Sequence, residues 1–510
     1  MALESLHPLY ADRAPDWEEM RDLYKGERHI KSKGEKYLPA TKSMKLDGMG
    51  HAGGKPNLGQ EVYNSYRIRA LLPDYVKDGV EHYIGMLHKK PPTIELPAAM
   101  EPLREAASMY GESLEVLLRR INEEQLVTGR LGLLLDLPKN PDPTNPMPYL
   151  ALYIAEAGRN WDDGQIDEGE ADLNLVVLDE SGYRRDGFDW ISVTKYRVLD
   201  LFLAGDTKEA RSRATPVYRS GAFEVEGGSG APVYVESDMQ TPMIRGTTLD
   251  EIPFVFINSK DITSAPDEPP LMGLARLALA IYRGEADYRQ TLFMMGQETL
   301  VLIGDQKQTS TDLNDIAGGD GSPLRTGSGS VIEMELSGDV KYVGIDGQGL
   351  TEQRESLVND RARADAKSGS LATESASTQE SGTAKQTRIS AQTATLKQIA
   401  LTGAAGLEWV LKACARWMGA DPEQVKVTPN LEFGEVTLVP KDIVDAMTAR
   451  SMGAPLSLES IHGLASDMGL TKLDYQTEKR MVDDERATEV PPGTDVGGNE
   501  PGQQPPAPAA

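Results

Sequence analysis

Residues 269–296 read PPLMGLARLALAIYRGEADYRQTLFMMG, with Leu271, Leu274, Leu277, Ile281, Tyr288, Leu292 and Met295 falling at steps of three to four. That period places one apolar stripe along a single helix. At about 1.5 Å per residue the helix is roughly 35–40 Å long. ETLVLIGD (298–305) and SVIEMELSGDVKYVGIDG (330–347) follow, separated by a Gly/Ser/Thr-rich stretch, and together predict a small β module. LTEQRESLVNDRARADAKSG (350–369) then predicts a second helix that carries the chain back. Residues 371–386, LATESASTQESGTAKQ, are almost all small and polar, the composition of an exposed loop. A third long helix is predicted over 387–418, with Ile389, Leu396, Ile399, Gly403, Leu407, Val410, Cys414 and Trp417 on one face. The order of parts describes a stalk with a tip.

Upstream, an acidic helix (Ala14–Tyr24) runs into GERHIKSKGEKYLP (26–39), a basic, Gly-interrupted stretch with the character of an exposed loop. Val62, Tyr63, Tyr66 and Ala70 share a helical face up to Pro73, and Val76, Val80, Tyr83, Ile84 and Leu87 resume the period after it. Ser113 starts a helix carrying Leu114, Leu117, Leu118, Ile121 and Leu126, with Gly129 as its cap, and the buried strand LGLLLDLP (131–138) follows. Between residues 149 and 257 the pattern turns to short β runs: YLALYIA, LNLVVLD, DWISVTKYRVLDLFL, PVYVES and IPFVFIN. This predicts an α+β body with a mainly antiparallel sheet. Ser457 opens one of several short C-terminal helices, and the Pro/Gly-rich tail 490–510 cannot build a core.

The chain has 510 residues, 39% of them hydrophobic, and a net charge of −26. That charge is opposite to the footprint of a tight nucleic-acid binder, so DNA is either no partner or slides past without sticking. The single cysteine, Cys414, excludes an internal disulfide and a multi-cysteine zinc site, and its helical neighbours predict a buried apolar role. Six histidines are scattered without an HExxH, GGDGSPLRTGSGS lacks the Walker lysine, and no GxSxG elbow occurs. The acidic run DDGQIDEGEAD reads as a solvated loop rather than a catalytic pair. No window reaches the about 18 apolar residues of a membrane span, and the first residues lack a signal-peptide pattern. The expectation is a structural protein, not an enzyme, without cofactor or metal.

Four stretches resemble the portal proteins of tailed bacteriophages, in a subgroup known only by a domain of unknown function. They are GERHIKSKGEKYLP, YNSYRIRALLPDYVKDGVEHYIGMLHKKPP (63–92), PPLMGLARLALAIYRGEADYRQTLFMMGQETLVLIG (269–304), and the Thr/Ser/Gly/Gln run leading into ISAQTATLKQIALTGAAGLEWVL (389–411). The resemblance spans residues 15–485 and rests on pattern and phrase, with no catalytic signature. It implies a portal-type α+β fold: an N-terminal region and wing (1–268), a stem helix (269–296), a clip (297–349), and a returning stem helix (350–370). A tunnel loop (371–386), a long wing helix (387–419), a C-terminal wing and crown (420–489) and a disordered tail (490–510) complete it. It also implies a ring, of twelve subunits in such proteins, at one capsid vertex of the virion, assembled in the host cytoplasm. Through that channel double-stranded DNA is packaged and ejected. The implied partners are the large terminase subunit, a head–tail adaptor, and the major capsid and scaffold proteins, with no membrane. Another virion structural protein, such as an adaptor or minor capsid protein, is the competing class.

Candidates for facing the DNA are Arg361, Arg363, Lys367, Thr373, Ser375, Ser377, Thr378, Gln379, Lys385 and Arg388. Arg361 and Arg363 have an alternative, pairing with Asp360, Asp365 or a neighbouring subunit. The basic stretch Arg28, His29, Lys31, Lys33 and Lys36 is open between DNA, capsid, a neighbouring subunit and solvent.

Overall fold

The computed structural model describes residues 3–49, 58–138, 147–164, 173–203, 215–226, 232–295, 299–303, 339–343, 349–368, 382–433, 440–467 and 469–488. The chain divides into two compact units, Met1–Phe433 and Gly434–Ala510.

The first unit opens with α1 (Pro8–Tyr24), α2 (Glu27–Ser32), α3 (Lys42–Leu46), α4 (Leu58–Arg69) and α5 (Tyr75–Leu87). After β1 (Thr93–Glu95) comes α6 (Leu114–Val127). The Ser113 hydroxyl accepts the Val116 N–H at 3.3 Å, and Gly129 at φ +75° ends the helix. The sheets are built from β2 (Arg130–Asp136), β3 (Tyr149–Ile154), β4 (Gly158–Asp162), β5 (Leu175–Asp179), β6 (Gly182–Asp186), β7 (Asp189–Phe202), β8 (Val217–Glu226) and β9 (Phe254–Asn258). Then follow α7 (Met272–Met295), β10 (Thr299–Ile303), β11 (Asp339–Val343), α8 (Leu350–Ser368), α9 (Gly382–Met418) and β12 (Lys426–Thr428).

All pairings among the described strands are antiparallel. One sheet has the order β3-β2-β9, and every residue of its central strand is buried. The other runs β4-β5-β7-β6, with β8 along the opposite edge of β7. α9 covers the first sheet, placing Leu407, Val410, Leu411, Cys414 and Trp417 in a core shared with α6 and β9. Burial pushes the Cys414 thiol up to about 12, in keeping with an inert apolar role. A second core holds α4, α5, α7 and α8 together with Ile30, Tyr37 and Leu38.

Four sequence expectations need correction. The stretch 26–39 is not an exposed loop: it forms α2 and a 3-10 turn, because Ile30, Tyr37 and Leu38 have a core to enter. Val62 lies on the exposed side of α4 while Tyr63 and Tyr66 are buried. PVYVES forms no strand; Val233 and Val235 are exposed and Glu236–Asp238 make a 3-10 turn. α9 begins at Gly382 rather than after Gln386, since Ala384, Lys385 and Gln386 are good helix formers.

The start of α1 contains a titratable cap. His7 Nδ1 accepts the Leu9 N–H at 3.2 Å, so it must be unprotonated, and the ring stacks on Trp161 at 3.9 Å. Burial and the nearby Arg130 charge hold its pKa below 6.5, against a smaller opposing pull from Asp163 and Asp162. Because the folded value is depressed, the cap's contribution is complete above 6.5 and is lost as pH falls through the folded pKa. Between about pH 7.5 and about pH 5 the wild type should therefore lose about 1 kcal/mol more than His7→Asn, which caps without titrating. Calorimetry at the two pH values checks this, and equal losses would remove the cap from the account.

In the second unit, α10 (Pro440–Ser451), α11 (Leu458–Asp467) and α12 (Tyr475–Thr488) are short helices. The Ser457 hydroxyl accepts the Ser460 N–H at 2.9 Å, as its start signal predicts. The tail from residue 489 lies outside the described residues.

Candidate functional site

α7 and α8 flank the paired strands β10 and β11 and pack against each other. Gly273 lies against Lys367 and Gly284 against Leu357, so the two helices run antiparallel. A Cβ at Gly284 would sit 3.0 Å from the Leu357 side chain, so a larger residue there would push the helices apart.

Between them Glu285, 2% exposed, accepts hydrogen bonds from Arg361 of α8 and, at 2.7 Å, from Arg289 of its own helix. A buried carboxylate is tolerated when it is paired in this way. Other elements brace the pair. The Tyr83 hydroxyl donates to the Lys367 carbonyl at 2.7 Å, and the Tyr66 hydroxyl donates to Asp287 at 2.6 Å. Arg283 Nε donates to the Tyr37 carbonyl at 2.9 Å, and the Arg69 guanidinium stacks on Phe293 at 3.9 Å.

α8 buries only Leu357, Ala364 and Ser368 of its 19 residues. Glu352, Glu355, Asp360 and Asp365 balance Arg354, Arg361, Arg363 and Lys367 along it, so the helix offers an open, highly charged but neutral surface.

The sequence candidates separate on this scaffold. Arg361 is committed to Glu285, a partner in another helix rather than Asp360 or Asp365. Arg363 is 74% exposed and, among the described residues, pairs with Asp360 at 3.4 Å, a contact worth little at a surface. Lys367 is exposed. Lys385 and Arg388 fall in the first turns of α9. Thr373, Ser375, Ser377, Thr378 and Gln379 lie outside the described residues, as do the Gly-rich stretch 318–330 and residues 165–172 of the acidic run.

The basic stretch near residue 30 is largely neutralised within the protomer. His29 Nε2 is 2.7 Å from Asp22, Lys33 and Lys36 reach both Glu18 and Asp22, and Lys31 pairs with Glu27 at 2.9 Å. Burial works against the charged form of Asp22, but hydrogen bonds from Tyr37 and His29 and the two lysine charges hold its carboxyl below the usual range. Of the five basic candidates Arg28 and Lys36 are exposed, and Lys36 is one of those paired with Glu18 and Asp22.

Glu285 was missed by sequence reasoning, although its signal is present: it continues the apolar series from Ile281 to Tyr288, where an acid needs a partner. Among the described residues no group of three His, Cys, Asp or Glu could hold a metal ion, and no helix is long and apolar enough to cross a membrane.

Residues 270–418, from the start of α7 to the end of α9, match a family described as a domain of unknown function, DUF4055. No curated protein matches the chain. Among solved structures the chain is similar to one in the neck of a native gene transfer agent particle computed with C12 symmetry, at 15% identity and a TM-score of 0.36, covering 76% of this chain and 89% of that one. It is similar to a chain in the virion of the native gene transfer agent particle, at 14% identity and 0.37, covering 84% and 99%. A third similarity is to the neck of the empty particle computed with C6 symmetry, at 13% and 0.36, covering 84% and 98%. At this level of superposition the likeness does not bear on function, and the functional reading rests on the helix pair itself.

Proposed function

We propose that the chain is a portal-type virion subunit, forming a ring of twelve copies at one capsid vertex through which double-stranded DNA is packaged and ejected. The carrying observation is the antiparallel pair α7 and α8, locked by Glu285 and bracketing β10 and β11, with α8 open along most of its length. A helix with so little of its surface buried gains nothing from exposure in a lone protomer, but in a ring it can meet a neighbour on one side and the channel on the other. Its balanced charge suits a lining that must not grip phosphate, since every neutralised phosphate adds affinity that would stall transit. In this reading β10 and β11 belong to the clip that meets the large terminase subunit and later the head–tail adaptor. Residues 371–381 hold the tunnel loop, which ends where α9 begins at Gly382, and the second unit belongs to the crown. The major capsid and scaffold proteins surround the ring, and the protein is not an enzyme.

Light scattering after gel filtration, combined with negative-stain imaging, tests the reading. The expected result is a ring of about twelve copies with an open centre. A compact monomer or dimer at high concentration would move the assignment to a head–tail adaptor or minor capsid protein.

A further inference from the structure

β6 and β7 form a hairpin whose tip projects beyond the end of β8, which pairs with β7 only from Val193 onward. Gly187, at φ +61°, makes the two-residue turn with Phe188, a backbone geometry that favours glycine. Phe188 is fully exposed, Tyr183 is 77% and Trp190 66% exposed. Arg185 stands opposite Trp190 and Tyr183 opposite Ser192, so Tyr183, Arg185 and Trp190 share one face of the ribbon. Along β7 that face continues through Tyr196 and Val198 into a small core with Val177, Phe223 and Leu3. That face is thus covered at its inner end and bare at its outer end, where Tyr183 and Trp190 meet water beside Phe188 of the turn. Clustered aromatics with an arginine are the composition of interface hot spots.

The same unit carries a groove of about 1310 Å³, bordered by Met109, Tyr110, Leu152 and Met243, with Asp238 at its rim. Met109, Tyr110 and Met243 are exposed there. The charges in its wall are already engaged with one another: Arg197 bonds Asp136 and Glu180, Lys195 bonds Glu180, and the Tyr153 and Tyr149 hydroxyls donate to Glu180 and Asp136. A small polar ligand would find those groups occupied, whereas an apolar ridge would find the methionine and tyrosine surfaces free.

We infer that the Tyr183–Phe188–Trp190 ridge of one copy seats in the Met109–Tyr110–Met243 groove of the next copy, with Arg185 facing Asp238. Ridge and groove are different surfaces of one chain, so the contact is head-to-tail and repeats around a closed ring. The inference rests on the ring reading and names a contact outside the α7 and α8 pair that carries it.

The test uses full-length chain with Phe188→Cys and Tyr110→Cys together; the native Cys414 is buried and does not compete. Mild oxidation should give a ladder of disulfide-linked oligomers that neither single variant gives. Ridge variants (Tyr183→Ser, Phe188→Ser, Trp190→Ser combined) should keep the wild-type circular dichroism but lose ring mass. Mixed with a groove variant (Met109→Glu with Met243→Glu), they should give one-to-one heterodimers and nothing larger, because only one competent contact remains. Wild-type rings without the crosslink, unaffected by the ridge variants, would overturn this contact and leave the ring reading standing. Crosslinked pairs from the double-cysteine chain, beside a wild type that never forms rings, would do the reverse, and neither crosslink nor rings would overturn both.

Discussion

Replacing Gly403 by alanine should destabilise the first unit by about 3–5 kcal/mol, the sum of overpacking and broken buried hydrogen bonds. A Cβ there would lie 2.5 Å from Asn122 Nδ2 and 2.8 Å from Gln125 Oε1. Those amides belong to a buried chain: His88 Nε2 donates to Asn122 Oδ1 at 2.9 Å, Asn122 Nδ2 donates to Gln125 Oε1 at 2.9 Å, and Gln125 Nε2 donates to the Asn258 carbonyl at 2.7 Å and to Thr402 at 2.8 Å. Moving either amide leaves donors unpaired in a site without access to water, so the penalty exceeds that of a purely apolar clash. Gly406, three residues further along α9, is the control. A Cβ there meets Ile257 at 2.4 Å with no hydrogen bonds at stake, and its alanine variant should cost about 1–3 kcal/mol. Urea unfolding midpoints decide the matter, and equal losses at the two positions would mean that the amide chain is not what fixes α9 on α6.

That glycine also marks what was readable in advance. Its place on the inner face of the third long helix follows from period alone, as do the faces of α5 and α6 and the cap at Ser113. Why the position needs a glycine does not, because Asn122 and Gln125 lie far away in sequence and read as ordinary polar residues of an amphipathic helix. The basic stretch 26–39 failed for the same reason. Its lysines look solvated until Glu18 and Asp22 of the preceding helix are folded against them, and its three apolar residues are too sparse to show a period. β6 and β8 escaped because Gly182–Asp186 has no buried residue at all and Val217–Glu226 carries Arg219, Gly221, Glu224 and Glu226 inside the strand. Local patterns report what a segment buries, whereas pairing across the chain decides which charges are spent.

The same distinction separates Arg361 from the other DNA-facing candidates. Arg361→Ala removes one of two guanidinium groups from a buried carboxylate, so it should lower stability by about 1–2 kcal/mol; Arg363 and Lys367, exposed on the same helix, should be nearly neutral for stability when replaced. Any effect of those two would have to appear in DNA transit.

Deleting residues 375–381 should leave rings of normal mass while reducing packaged DNA to background. Those residues, SASTQES, contain no large apolar side chain that a core could require. α8 ends at Ser368 and α9 begins at Gly382, so after the deletion six residues remain to join them, a span of about 20 Å when extended. The helix pair keeps its Glu285 lock and its glycine contacts, none of which involves the deleted segment. On the proposed portal reading, one change therefore separates assembly from passage of DNA, which substitutions at Arg361 would not do because they loosen the helices themselves. Particle counts by negative stain and DNA protected from nuclease per particle provide the two readouts. Loss of the ring would overturn the assignment of this stretch as an exposed loop, and undiminished packaging would overturn its role beside the DNA.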